Sequence, residues 1–294
     1  DREVCRALPD GGVFSLLALG KKPGASLKLA QQIALFCVLA HRASTFIARK
    51  MKLGQTAEQT MKPNILLLPG LLNDASVFTN QVAALATVAT AEVGDLTLAG
   101  SIADLAASVL KAASANRFVL LGLSLGGYVA FEIMRQAPER VAGLVLMDTT
   151  ALPDTPEASA KREALIALAA TDLDAVIEQL LPLLSHPDLM NLPAVRGNIQ
   201  SMANGLGKEV FERQQRAIIG RPDSRPTLKD ITCPTLVICG QDDQITPPPL
   251  AKEIASGIRH AKLEIIPQCG HLATLDQPEA VCELLLAWIR HNKF

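Results

Sequence analysis

From residue 64 onward, short apolar runs alternate with longer stretches in which apolar positions recur every three or four residues. NILLL (64–68), RFVLLG (117–122), VAGLVLM (141–147), PTLVIC (234–239) and KLEII (262–266) are bounded by turn residues and contain little polar alternation. Such runs predict strands buried on both faces. Val88–Val93 predicts one more strand, ending near Gly94-Asp95. The helical period predicts helices over 75–86, over the stretch SIADLAASVLKAA opened by Ser101 and Asp104 as a capping box, and over Leu125–Gln136, stopped by Pro138. A last helix is predicted to open at Asp276-Gln277-Pro278-Glu279, with Asp276 as N-cap and Pro278 in the first turn, and to run through Trp288. Strand–helix alternation of this kind predicts an α/β fold, a mostly parallel central sheet with helices on both faces.

Two regions break the pattern. Residues 151–231 carry helical segments near 157–170, 172–184 and 205–219, with prolines between them and no strand. Placed between two strands of one sheet, they predict a helical lid over the C-terminal strand ends, where α/β proteins bind ligands. Residues 61–150 and 232–294 then form the core. Residues 1–60 read as an extension whose place in the folded domain stays open. Within it, 1–26 read as loop, 27–48 as an apolar stretch at helical spacing, and 49–63 as a polar linker. Lys28, Gln31, Gln32, His41 and Arg42 interrupt the apolar stretch, leaving it short of the roughly 18 uninterrupted residues of a membrane span. Its basic residues follow rather than precede it, the wrong order for a secretory signal.

Composition narrows the function. Hydrophobic residues make up 49 % of the chain and charged ones 19 %, enough for a large core. A net charge of −1 gives no electrostatic case for nucleic acid or an anionic membrane, and 3 % aromatics argues against a base-stacking platform. The partner expected is a small molecule. Cys5, Cys37, Cys233, Cys239, Cys269 and Cys282 form no C-x-x-C pair and read as reduced thiols of a cytoplasmic protein. The histidines form no metal-binding motif, so neither metal nor cofactor is expected.

The chemistry-bearing residues sit at four places, each after a predicted strand. Gly122-Leu123-Ser124-Leu125-Gly126 is a G-x-S-x-G turn between strand and helix. It would strain Ser124, demand small neighbours and aim the hydroxyl above the sheet as a nucleophile. The N–H of Leu125, at the helix start, is one candidate oxyanion donor. Pro69-Gly70-Leu71-Leu72 follows the first strand, and Leu71 is the candidate for the second donor, against a plain strand-ending turn. Asp242 and Asp243 follow PTLVIC; Asp243 is favoured as the acid that orients a histidine, with Asp148 after VAGLVLM a remoter candidate. His271 follows KLEII, with Gly270 expected to let the backbone bend so that the imidazole faces the serine. His41, His186, His260 and His291 fit a general base poorly by position, and Cys269 reads as a core thiol. The order Ser124, Asp243, His271 is that of α/β-hydrolase nucleophile elbows.

At these residues the chain resembles the α/β-hydrolase superfamily across roughly residues 62–294. ILLLPGLLNDASVF, LLGLSLGGYVAFEIMRQAPERVAGLVLMDT, RPTLKDITCPTLVICGQDDQITPP and CGHLATLDQPEAV are similar to a bacterial group of small lidded esterase-like hydrolases. The resemblance implies a Ser/Asp/His triad without cofactor, acting on an ester or lactone. It departs from the family where the usual His-Gly of the oxyanion loop is Pro69-Gly70. Thioesters, acyl-homoserine lactones, C–C bonds and cofactor-free perhydrolysis suit the same triad. A binding protein without turnover is the alternative of a different class.

Overall fold

The computed structural model describes residues 62–294. The stretches read above as loop, apolar segment and linker before Lys62 lie outside the described residues. Six strands, β1 (Asn64–Leu68), β2 (Thr90–Val93), β3 (Phe118–Leu123), β4 (Val141–Met147), β5 (Thr235–Gly240) and β6 (Lys262–Ile266), form one all-parallel sheet in the order β2-β1-β3-β4-β5-β6. The register runs Leu67 opposite Leu121, Leu121 opposite Val145, and Val145 opposite Leu236.

The core helices are α1 (Thr79–Leu85), α2 (Ile102–Ala112) and α3 (Leu125–Gln136). Between β4 and β5 come α4 (Pro156–Ala169), α5 (Leu173–Leu184) and α6 (Pro193–Ile219). The chain closes with α7 (Pro248–Gly257), the one-turn α8 (Ala273–Asp276) and α9 (Pro278–Asn292). Alternate strand residues bury on opposite faces, as the two-residue period requires. Ile65, Leu67, Val119 and Leu121 share a cluster with Leu85 of α1 and Val281 and Leu285 of α9. Leu66, Leu68 and Leu120 share the other with Leu105 of α2, Ile133 of α3 and Ile254 of α7. Each fully buried leucine stabilises the fold by about 1.5–3 kcal/mol relative to exposure, before entropy is counted. The apolar runs of β1, β3, β4 and β5 are thus explained by helices on both faces, whereas β6, expected to be buried on both faces, is an edge strand fully buried only at Ile266.

Three local readings change. α6 starts at Pro193 rather than near 205, with proline at its first turn and a break at Gly207 (φ 80°). The stretch GNIQSMANGLG hides the helical period because its glycines and amides carry little apolar signal. The N-cap of α9 is Gln277, not Asp276, and makes no side-chain cap bond. Asp276 instead ends α8 and turns its carboxylate toward the insertion. At α2, Ser101 Oγ accepts from Asp104 N (3.1 Å) and donates to Asp104 Oδ2 (2.7 Å), so the box closes through the hydroxyl. Among the described residues no helix is long and apolar enough to cross a membrane.

The chain leaves β1 toward β2 on one side and returns to β3 on the other, so strand order reverses between β1 and β3. Ligands of open α/β sheets bind in the crevice at such a switch point. The loops after β1 and β3 hold Leu71 and Ser124.

Candidate active site

Ser124 stands between β3 and α3 with φ 52° and ψ −112°, a conformation that costs a non-glycine residue about 1–3 kcal/mol. Its surroundings hold it there. Ser124 N donates to Met147 O (3.0 Å), and its carbonyl accepts from Gly127 N (2.9 Å) and Thr149 Oγ1 (2.9 Å). A Cβ at Gly122 would collide with the Gly126 carbonyl, and one at Gly126 with the Leu68 carbonyl. The two glycines are there for this close backbone approach. As the first residue of α3, Leu125 has an N–H with no acceptor inside the helix.

His271 Nε2 lies 2.8 Å from Ser124 Oγ, and its Nδ1 lies 2.9 Å from Asp243 Oδ2 and 3.0 Å from Oδ1. A carboxylate only accepts, so this contact assigns the proton to Nδ1 and leaves the Nε2 lone pair toward the serine hydroxyl. Asp243 is itself held: Oδ1 accepts from Ile245 N (2.8 Å) and Thr246 N (2.9 Å), and Oδ2 from Thr246 Oγ1 (2.7 Å). Burial alone would push this carboxyl up; His271 and the bonds from Thr246 outweigh that and hold it below its usual value. Its contribution to stability is therefore present above the usual carboxylate range and lost as pH falls through the lowered value.

The rival aspartates lie elsewhere. Asp242 is half-exposed, 3.6 Å from His186 Nε2, and makes no bond to His271. Asp148 is fully buried and bridges two loops, accepting from Gly240 N (2.9 Å) and Ala273 N (3.2 Å). Burial, then the charge of Asp243, pushes its carboxyl well above the usual 3.8. A group raised in the folded chain contributes fully below its unfolded value, and that contribution is lost as pH rises toward the folded one. The stability cost of Asp148→Asn is therefore expected to shrink as pH rises above the usual 3.8, read from urea midpoints of both proteins. A cost that grows with pH would mean that Asp148 is charged in the fold.

Asp148, Cys239 and Asp243 bring ligand atoms within 4.8 Å of one another. Both carboxylates are already taken up by hydrogen bonds, and burial holds the Cys239 thiol protonated. The grouping suits hydrogen bonding rather than metal ligation. Cys269 is likewise a buried thiol pushed up by burial.

The His271 loop bends at Gln268 (φ 50°), not at Gly270, whose φ is not positive. Gly270 serves close approach: a Cβ there would meet Ser185 and His186 at the end of α5. Asp276 ties the same place together. It accepts from Ser185 Oγ (2.5 Å), His186 N (2.8 Å) and Gly270 N (2.8 Å), while Leu272 N donates to Leu184 O (2.9 Å). From sequence alone Asp276 shows only as a helix cap, because its partners are 90 residues or more away or lie in a loop without pattern.

On the other side of the serine, Leu72 has φ 53° and gives its N–H to Gln214 Oε1 (2.9 Å) on α6. Leu71 N has no protein acceptor among the described residues. A cavity of about 350 Å³ opens over Ser124 and His271, walled by Leu71, α4, α5 and α6. That volume is at the lower end for small-molecule sites.

A family model described as the alpha/beta hydrolase family matches residues 65–284. A putative non-heme bromoperoxidase of Mycobacterium tuberculosis is 30 % identical over 179 residues, 59 % of this chain and 68 % of that protein. A 2-hydroxy-6-oxononadienedioate/2-hydroxy-6-oxononatrienedioate hydrolase of a Pseudomonas species is 25 % identical over 195 residues, 65 % of this chain and 69 % of that one. Among solved structures, a thermophilic esterase from Thermogutta terrifontis superimposes with a TM-score of 0.74 at 29 % identity, covering 80 % of this chain and 92 % of its own.

Proposed function

The chain belongs to the alpha/beta hydrolase family, and on that premise we propose that it is a serine hydrolase of carboxylic esters or lactones with a small to medium acyl part. The observation that carries this reading is the unbroken chain of contacts from Ser124 Oγ to His271 to Asp243, at 2.8 and 2.9 Å. His271 takes the Ser124 proton as the oxygen attacks the substrate carbonyl. Asp243 keeps the imidazole in the useful tautomer and stabilises the imidazolium. The N–H groups of Leu125 and Leu71 receive the negative charge that develops on the carbonyl oxygen. The proton then passes to the leaving alcohol, and water activated by His271 releases the acid from the acyl-enzyme.

The helices between β4 and β5 serve as a lid: they roof the cavity and keep bulk water from the acyl-enzyme. The apolar lining from α5 favours an acyl chain over a charged group next to the carbonyl. Hydrolysis of p-nitrophenyl esters from acetyl to dodecanoyl is expected to peak at a short or medium chain and fall for chains the cavity cannot hold. Rising activity out to dodecanoyl would refute the enclosed pocket. Fluorophosphonate labelling of Ser124 is expected as well, and its absence would favour a binding protein over an enzyme.

A further inference from the structure

The cavity wall is divided by chemistry. α5 lends it only leucine and isoleucine, including Leu180 and Leu184. α4 presents Lys161 and Arg162, one turn along from Ala158 on the same helical face. Among the described residues these two are the only lysine or arginine side chains that line the cavity, and no aspartate or glutamate does.

The charge behind them is unbalanced. Arg162 Nε donates to Asp154 Oδ2 (2.7 Å), and Arg221 donates to Oδ1 of the same carboxylate. Among the described residues neither guanidinium pairs with a second carboxylate, so one positive charge is left over in a mostly buried setting. Arg162 also donates through Nη1 to Gln215 Oε1 (2.8 Å). That bond sets the amide's orientation and makes Nε2 its free end. Gln215 is fully buried, lines the cavity, and its Nε2 has no partner. Tyr128 lines the cavity too, with Arg221 stacked on its ring at 4.5 Å. Its hydroxyl makes no hydrogen bond among the described residues, and burial pushes its pKa up, which keeps it protonated and so a donor. Excess positive charge and unspent donors in one wall are costly unless an anion meets them.

We propose that this wall is a subsite for a carboxylate carried by the substrate away from the scissile carbonyl. Lys161, Arg162, Tyr128 and Gln215 would hold it. The one positive charge left over in the buried part of the wall, with Lys161 at an exposed position beside it, matches a monoanion. The substrate class is then a monoester or lactone of a dicarboxylic or oxo-acid, with its carbon chain against the leucines of α5. This rests on the reading of Ser124 as the nucleophile, which places the other end of the substrate.

The test measures binding, so that it does not depend on turnover. Ser124→Ala would be titrated by calorimetry with the monomethyl esters of succinate, glutarate and adipate, beside the matching dimethyl esters. One monoester is expected to bind at least about tenfold more tightly than its neutral partner, the scale of one charge-assisted hydrogen bond. Adding Arg162→Gln should remove that preference. Lys161→Gln, at an exposed position that should fold whatever happens to Arg162, should reduce it. Equal binding of the neutral and anionic esters at all three lengths, or a preference untouched by both substitutions, would overturn the subsite. The reading of Ser124 is judged separately, by p-nitrophenyl ester turnover and fluorophosphonate labelling of the unaltered protein.

Discussion

Ser124→Ala is expected to lower ester turnover by about a million-fold, the scale of nucleophile loss in enzymes built on such a triad. The residual rate would come from the oxyanion donors and binding alone. The substitution removes only an oxygen. It leaves the left-handed backbone at 124, which Gly122, Gly126 and the bonds from Gly127 and Thr149 enforce. Folding should therefore be intact, and near-native circular dichroism and urea midpoint would show it. Steady-state turnover of the best p-nitrophenyl ester, with mass spectrometry of fluorophosphonate-treated protein, checks the prediction. Activity above about one hundredth of the original would mean that another group attacks the carbonyl.

The second large effect belongs to Asp243. Asp243→Asn is expected to reduce turnover by about ten-thousand-fold, because an amide can donate to Nδ1 and so favours the wrong tautomer. Asp242→Asn should change it little. Asp242 stands by His186, with its backbone rather than its carboxylate fixed in the turn by a bond from its N–H to Cys269 O (2.8 Å). Turnover of the two variants side by side, at a pH above neutrality, makes the comparison. If Asp242→Asn were the damaging one, the contact between Asp243 and His271 would not be the one that matters in turnover.

How much of this was legible in the sequence depends on the range of the interaction concerned. β1 and β4 are predicted to the residue, because a strand buried on both faces announces itself as an apolar run. α3 is equally clear, bounded by the Ser124 turn and Pro138. The order of Ser124, Asp243 and His271, each at a strand end, singles them out because strand C-termini converge in a parallel sheet. The choice between Asp242 and Asp243 could only be a preference, since both occupy one turn and the direction of each side chain is a three-dimensional matter. What the sequence concealed is the set of contacts between the insertion and the core. Gln214 and Gln215 fall in the helix predicted near 205–219 with nothing local to mark them, yet both are fully buried: one holds Leu72 N–H and the other meets Arg162. Such pairs are separated by 53 to 142 residues and leave no local period.

The tie between Asp276 and the end of α5 bears on how freely this architecture can be recombined. Segments inserted after the fourth strand invite exchange between relatives as a route to new specificity. Here the seam is not neutral: Ser185, His186 and Leu184 are bonded to the stretch from Gly270 to Asp276 that carries His271. A transplanted insertion that lacked this joint would leave Asp276 with unmet acceptors and the imidazole less firmly aimed. A chimera cut at 151 and 231 would then trade turnover for selectivity in ways that contacts to the substrate do not explain. The workable unit of exchange is the insertion together with the loop that it braces.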